Sequence, residues 1–186
     1  MRPWGRRLAG WREGVALAIL LCGMQGAAAQ EGVLQQARQP PGQQDADIAD
    51  ASRLRQGVRA DYVLQCAGCH RVDGRGSSPH GIPDFRHSVG AFTHLPAGRE
   101  YLIRVPGAAH SQLSNAELAA VLNWVVGEFS PAQLPADFTP YTEEEVAAAR
   151  PNRYDDVVPV RHQLAETLSS MGFSLSEYSY GRDRKP

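Results

Sequence analysis

One short run in this 186-residue chain places reactive side chains side by side: Cys66-Ala67-Gly68-Cys69-His70. Two thiols three positions apart fall on one side of a helical turn, and an imidazole follows at once. Three chemistries use such a spacing: a thioredoxin-like dithiol, half of a zinc site, or covalent attachment of haem. A redox C-x-x-C opens a helix after a strand in an α/β pattern, and no such pattern surrounds Cys66. A four-ligand zinc site needs a second cysteine or histidine pair. C-x-x-C-H is the attachment signature of c-type haem. In that reading Cys66 and Cys69 each add to a vinyl group of one haem c, and His70 is the proximal iron ligand, a role that suits neutral imidazole.

The elements that position this run come next. A helix is expected over about residues 53–69. A second starts at Ser114, with Glu117 three positions on to complete a capping box. Leu118, Val121, Leu122 and Val125 form its apolar stripe, with Trp124 alongside and Gly127 as a weak point near its end. Between the two lie Gly74, Gly76, Pro79, Gly81, Pro83, Gly90, Pro96, Gly98, Pro106 and Gly107. They read as about 40 residues of loop, which inside a small domain makes sense if the loop wraps something large. The globular stretch, residues 53–130, is of a size at which an all-protein core is marginal. A covalently held macrocycle supplies the missing apolar mass, and Phe85, Phe92, Leu95, Leu102, Ile103 and Val105 are the expected pocket lining.

The ends read differently. Arg2, Arg6, Arg7 and Arg12 precede the apolar run 15–22, and Ala27-Ala28-Ala29 follows, so residues 1–29 are expected to be a cleaved signal peptide. Eight apolar residues span about 12 Å as helix, short of a roughly 30 Å hydrocarbon layer, so no stable membrane span is expected after cleavage. Removing residues 1–29 takes out four arginines and Glu13 and leaves 15 basic against 19 acidic residues. That balance gives no basis for nucleic-acid binding. Residues 30–52 are expected to be a flexible tether. Residues 131–186 are expected to be a proline-rich connector, short helices and a frayed tail. Thr142 with Glu145 fits a capping box stopped by Pro151, and Val160, Leu164, Leu168 and Met171 share one helical face.

On the C-x-x-C-H run, on Tyr62 four residues before it and on Leu118–Trp124, residues 53–129 resemble the small monohaem cytochrome c family. The resemblance implies an all-α, cytochrome c-like helical domain wrapped around covalent haem. It implies that Gly81-Ile82-Pro83 supplies the proline carbonyl that accepts the proximal imidazole proton, so Pro83 would orient His70. The family's sixth ligand, a methionine in the loop before the C-terminal helix, has no counterpart in residues 105–112 here. His110 lies in that loop and is the first candidate for the position. An open site, His80, His87, His94 and Met171 are the alternatives. Arg99 and Arg104 are candidate partners of the haem propionates, since guanidinium pairs well with carboxylate.

The expected function is electron transfer in the periplasm, one electron at a time. The donor would be a dehydrogenase or respiratory protein and the acceptor a cytochrome or oxidase. No G-x-S-x-G, H-E-x-x-H or phosphate-loop motif supports a separate active site. Two other readings stay open. One is a haem subunit of a larger oxidoreductase, with the tether and residues 131–173 as docking arms, segments that equally suit wrapping of the chain's own domain. The other is a gas- or peroxide-binding protein with an open sixth site.

Overall fold

The computed structural model describes residues 41–178. The expected signal peptide, residues 30–40 of the expected tether and residues 179–186 of the tail lie outside the described residues. The chain divides between Ala51 and Ser52 into two units. Of the first unit, residues 41–51 are described. They are helical, as the start of α1 (Pro41–Gln65), with Gln43 Nε2 donating to Asp47 Oδ1 at 3.1 Å. This corrects the expected tether, which is helix from Pro41 onward. Proline is tolerated at a helix start, and the alanines, arginines and leucines that follow favour helix without forming an apolar stripe. With no stripe, periodicity had nothing to report there.

The second unit begins at Ser52. Its elements are the rest of α1, α2 (Ala67–His70), α3 (Pro96–Arg104), α4 (Pro106–Ala109), α5 (Asn115–Phe129), α6 (Glu143–Ala149) and α7 (Val158–Ser170). Short 3-10 turns cover Ser78–His80, Val89–His94, Pro131–Gln133 and Arg150–Asn152. No strand occurs among the described residues, only an isolated bridge between Ser77 and Ile82, so the fold is all-α. The expected 40-residue loop therefore holds two helices and two 3-10 turns. Its prolines initiate structure as well as interrupt it: Pro96 and Pro106 stand at the first positions of α3 and α4, where the missing N–H costs nothing.

The core joins Tyr62 of α1, Phe92, Tyr101 and Ile103, the α5 stripe, and Tyr141, Val146, Leu164 and Leu168 from beyond residue 130. At about 1.5–3 kcal/mol for each fully buried large apolar side chain, the four from the C-terminal segment contribute substantially. That segment is part of the domain, which removes the structural argument for free docking arms. Ser114 caps α5 through both halves of the expected box, and α5 runs past Gly127 to Phe129. At α6 only half a box forms. Thr142 Oγ1 accepts from Glu145 N, while the Glu145 carboxylate turns to Arg99. Leu164 and Leu168 are buried, but Met171 is half exposed and caps α7, so the apolar face ends one turn sooner than expected. The tail is docked as far as Tyr178: Ser176 N and Oγ donate to Ser88 Oγ and Asp84 O, and Tyr178 is buried.

Candidate haem-attachment site

Helix α1 ends at Gln65, and Cys66 interrupts it at φ −122°, ψ −38°. The chain resumes at once as α2, because His70 N and Arg71 N donate back to Cys66 O and Ala67 O. Cys66, Cys69 and His70 thus share one tight turn. Both cysteines are free thiols; Cys66 is half-buried and Cys69 exposed. Burial, with Cys69 adding to it, pushes the Cys66 thiol up to about 11. Immediately after the turn Arg71 sits at φ 66°, ψ 159°, a region that costs a residue with a Cβ about 1–3 kcal/mol. The fully buried Tyr62 holds it there, its hydroxyl donating to Arg71 O at 2.7 Å. The phenol therefore fixes the exit of the chain from the C-x-x-C-H turn.

His70 is held neutral. Burial holds its basicity down, to about 4, against the opposing effect of a hydrogen bond to Pro83 O and with a smaller contribution from the charge of Arg161. Nδ1 lies 3.3 Å from Pro83 O, so Nδ1 carries the proton and donates, and the Nε2 lone pair is left for a metal. Phe85 stacks on the imidazole at 3.9 Å and 14°. The carbonyl is positioned by a small folded loop in which Ser77 N donates to Ile82 O, Ile82 N to Ser77 O and Phe85 N to Gly74 O. Gly76 lets that loop close. Its φ is +58°, and a Cβ there would stand 2.3 Å from Pro83 O. Two unpaired thiols, a neutral histidine with one free nitrogen, and a carbonyl that orients it are the donor set a covalent c-haem requires.

The other expected site residues are dispersed. Arg99 donates to both carboxylate oxygens of Glu145 at 2.8 and 2.7 Å and to Thr139 O, and lies 4.1 Å from the Tyr141 ring centroid. Arg104 bonds Asn152 O and Glu100 and lies over Tyr154 at 4.0 Å. The structure thus commits both guanidinium groups to α6, its flanking segments and Glu100, a use different from the expected propionate pairing. His110 is exposed at the end of α4 and lines a cavity of about 340 Å³ with Asn115, Arg150 and Arg153; none of the attachment residues lines it. His80 pairs with Ser77 and His94 with Gln133 O, while His87 is exposed.

Two arginines beyond residue 130 drew no attention in the sequence. Arg150 donates to Ala109 O, Leu113 O, Ser111 O and Asn115 Oδ1 at 2.6–3.1 Å, and so pins the loop between α4 and α5. That loop also touches the end of α1, where Gln112 N donates to Gln65 Oε1. Arg161 is buried within the core. Neither belongs to a motif, and only the tertiary contacts reveal them.

No family model matches the chain. Two curated relatives do, both cytochrome c-552 of Thermus thermophilus. One is 33% identical over 115 residues, covering 52% of this chain and 77% of the relative. The other is 33% identical over 109 residues, covering 49% and 82%. Since 52% of 186 residues is fewer than 115, the alignment leaves gaps on this chain's side.

Proposed function

This chain belongs to the c-type cytochromes, and from that membership we propose that it is a periplasmic one-electron carrier holding a single haem c. The observation that carries the reading is the attachment turn. Cys66 and Cys69 present free thiols one turn apart, and His70 follows with Nε2 available and Nδ1 held by Pro83 O at 3.3 Å. In this reading the two thiols hold the haem, His70 ligates its iron, and Pro83 fixes the ring and raises its strength as a ligand. The bound group supplies the reversible one-electron couple. The chain's own part is to keep His70 neutral, exclude water through Phe85 and the core beneath it, and leave the turn accessible. Cys69 and Gly68 are exposed, and Val63, Leu64 and Val72, also exposed, flank the turn. Such apolar surface beside a redox group suits a brief, small contact with a donor or acceptor protein. We place the donor among dehydrogenases or respiratory proteins and the acceptor among cytochromes or oxidases, with export directed by residues 1–29. No helix among the described residues is long and apolar enough to cross a membrane.

A second reading rests on a specific observation. The loop before α5 contains no methionine, and its histidine, His110, is exposed beside Arg150. An iron with no sixth protein ligand would bind small gases or peroxide. The ferrous absorption spectrum of the purified protein, before and after carbon monoxide, decides between the two. A sharp low-spin spectrum that carbon monoxide leaves unmoved is expected for the carrier. A high-spin spectrum that shifts would establish the open site, and a protein with no covalent haem would refute both.

A further inference from the structure

Beyond α7 the chain returns to the loop that orients His70. Phe173 packs on His94 with ring centroids 4.4 Å apart, and Gln133 Nε2 donates to Ser174 O at 2.9 Å. The next residues reach the loop itself. Ser176 Oγ donates to Asp84 O at 2.8 Å, Ser176 N donates to Ser88 Oγ at 3.2 Å, and Ser78 Oγ donates to Glu177 O at 2.7 Å. This strap thus ties down both flanks of Pro83, through Ser78 before it and through Asp84 and Ser88 after it. Buried Tyr178 anchors its end, with the Arg161 guanidinium 4.5 Å from the ring centroid.

One of these bonds bears directly on the histidine. The peptide unit joining Asp84 to Phe85 is planar, so its two polar groups turn together. At one end Phe85 N donates to Gly74 O at 2.8 Å; at the other Asp84 O accepts from Ser176 Oγ. A plane held at both ends constrains its two neighbours. Before it comes the Pro83 carbonyl, 3.3 Å from His70 Nδ1, and after it the Phe85 ring, stacked on the imidazole. We propose that Ser176 is a positioning residue for His70: its hydroxyl, brought in by the C-terminal strap, sets the Pro83 carbonyl and the Phe85 ring against the imidazole and so holds down the midpoint potential of the iron. The inference rests on the haem reading above. A carbonyl firmly placed at Nδ1 strengthens the imidazole as a ligand, which favours the ferric state. The C-terminal segment then tunes the couple as well as completing the core.

The test uses the full-length haem-loaded protein. Haem content by pyridine haemochrome comes first: wild type without covalent haem would overturn the haem reading and this proposal with it. With haem in place, two quantities are compared: the midpoint potential, and the exchange of the His70 ring N–H proton followed by NMR of the ferrous protein. The variants are Ser176→Ala, Ser176→Thr and Ser78→Ala. Ser170→Ala is the control, since Ser170 Oγ donates within α7, to Thr167 O. One neutral hydrogen bond is worth about fivefold in a local opening equilibrium. Ser176→Ala should therefore exchange the ring proton about fivefold faster and raise the potential. Ser176→Thr keeps the hydroxyl and should restore both. Ser78→Ala frees the opposite flank and should move both in the same direction as Ser176→Ala. Ser170→Ala should change neither. If Ser176→Ala does not fold, Ser78→Ala decides. A haem-loaded Ser176→Ala protein with wild-type potential and wild-type ring-proton exchange would overturn the proposal alone, even with a lower urea midpoint, because a merely structural strap gives that result.

Discussion

Gly76→Ala tests how His70, the proposed proximal ligand, is held. Gly76 has φ +58°, a conformation that costs a residue with a Cβ about 1–2 kcal/mol. The added methyl would also stand 2.3 Å from Pro83 O and 2.6 Å from Ile82 O, whereas real Cβ atoms stay beyond 3.0 Å. Both contacts are backbone, so no side chain can rotate away. The Pro83 carbonyl must retreat by at least the difference between 2.3 and 3.0 Å. Its bond to His70 Nδ1 is already 3.3 Å long and does not survive such a displacement; losing it costs about 1 kcal/mol net. The sum is about 2–3 kcal/mol. With a urea slope of about 2 kcal/mol/M, the denaturation midpoint should fall by about 1 M. If His70 ligates the iron as proposed, losing the acceptor at Nδ1 also weakens it as a ligand, and the ferric state depends on that strength more than the ferrous, so the midpoint potential should rise. Gly107→Ala is the control, because a Cβ there meets nothing within 4 Å and alanine suits a helix better than glycine. An unchanged urea midpoint together with an unchanged potential in Gly76→Ala would show that Gly76 does not set the position of Pro83.

Four further outcomes follow from contacts elsewhere. Ser114→Ala should cost about 1 kcal/mol in urea unfolding, since it removes the hydroxyl that accepts from Glu117 N. Hydrogen bonds from Ser114 hold the Glu117 carboxyl below its ordinary range, so its contribution is complete above the unfolded value, about 4.3, and is lost as pH falls through the lower folded value; Glu117→Gln should remove that part of the acid limb of a Tm–pH profile. The forked Arg99–Glu145 pair, whose side chains are 17% and 30% exposed, should show about 1 kcal/mol of coupling in a double-mutant cycle, with haem content unaffected. Arg150→Met should cost about 2–4 kcal/mol and speed hydrogen exchange over residues 109–113, because those carbonyls and Asn115 lose their shared donor.

How much was legible varied with the kind of signal. The C-x-x-C-H turn and the Ser114–Glu117 cap are local: their residues lie within five positions of each other, and the chemistry follows from spacing. The α5 stripe was legible because one face of a 3.6-residue repeat is buried. The residues from Pro41 were not, because that helix carries no apolar stripe to leave a period. Helices α3 and α4 were hidden by a misreading of proline, which ends helices from within but begins them at the first turn. The arginines were the least legible. Nothing adjacent to Arg99 announces Glu145, 46 positions on, and nothing adjacent to Arg150 announces Ser111, 39 positions back.

Those long-range arginines suggest why so small a domain carries so long a C-terminal segment. Residues 53–130 hold the attachment turn, yet their apolar side chains alone leave α3 and α5 with uncovered faces. Tyr141, Val146, Leu164 and Leu168 complete that core. Apolar burial does not specify register, because it is non-directional. Arg99 and Arg150 supply the direction: one forks onto Glu145 in the first turn of α6, and the other, just after α6, reaches back to Ala109, Ser111, Leu113 and Asn115, in and on either side of the loop before α5. With α6 fixed at both ends, the chain that follows is led to α7 in a defined register, and Arg161 enters the core. Loosening either anchor should therefore be felt at Arg161 before it is felt at Cys66 or Cys69, whose turn is closed by its own backbone hydrogen bonds.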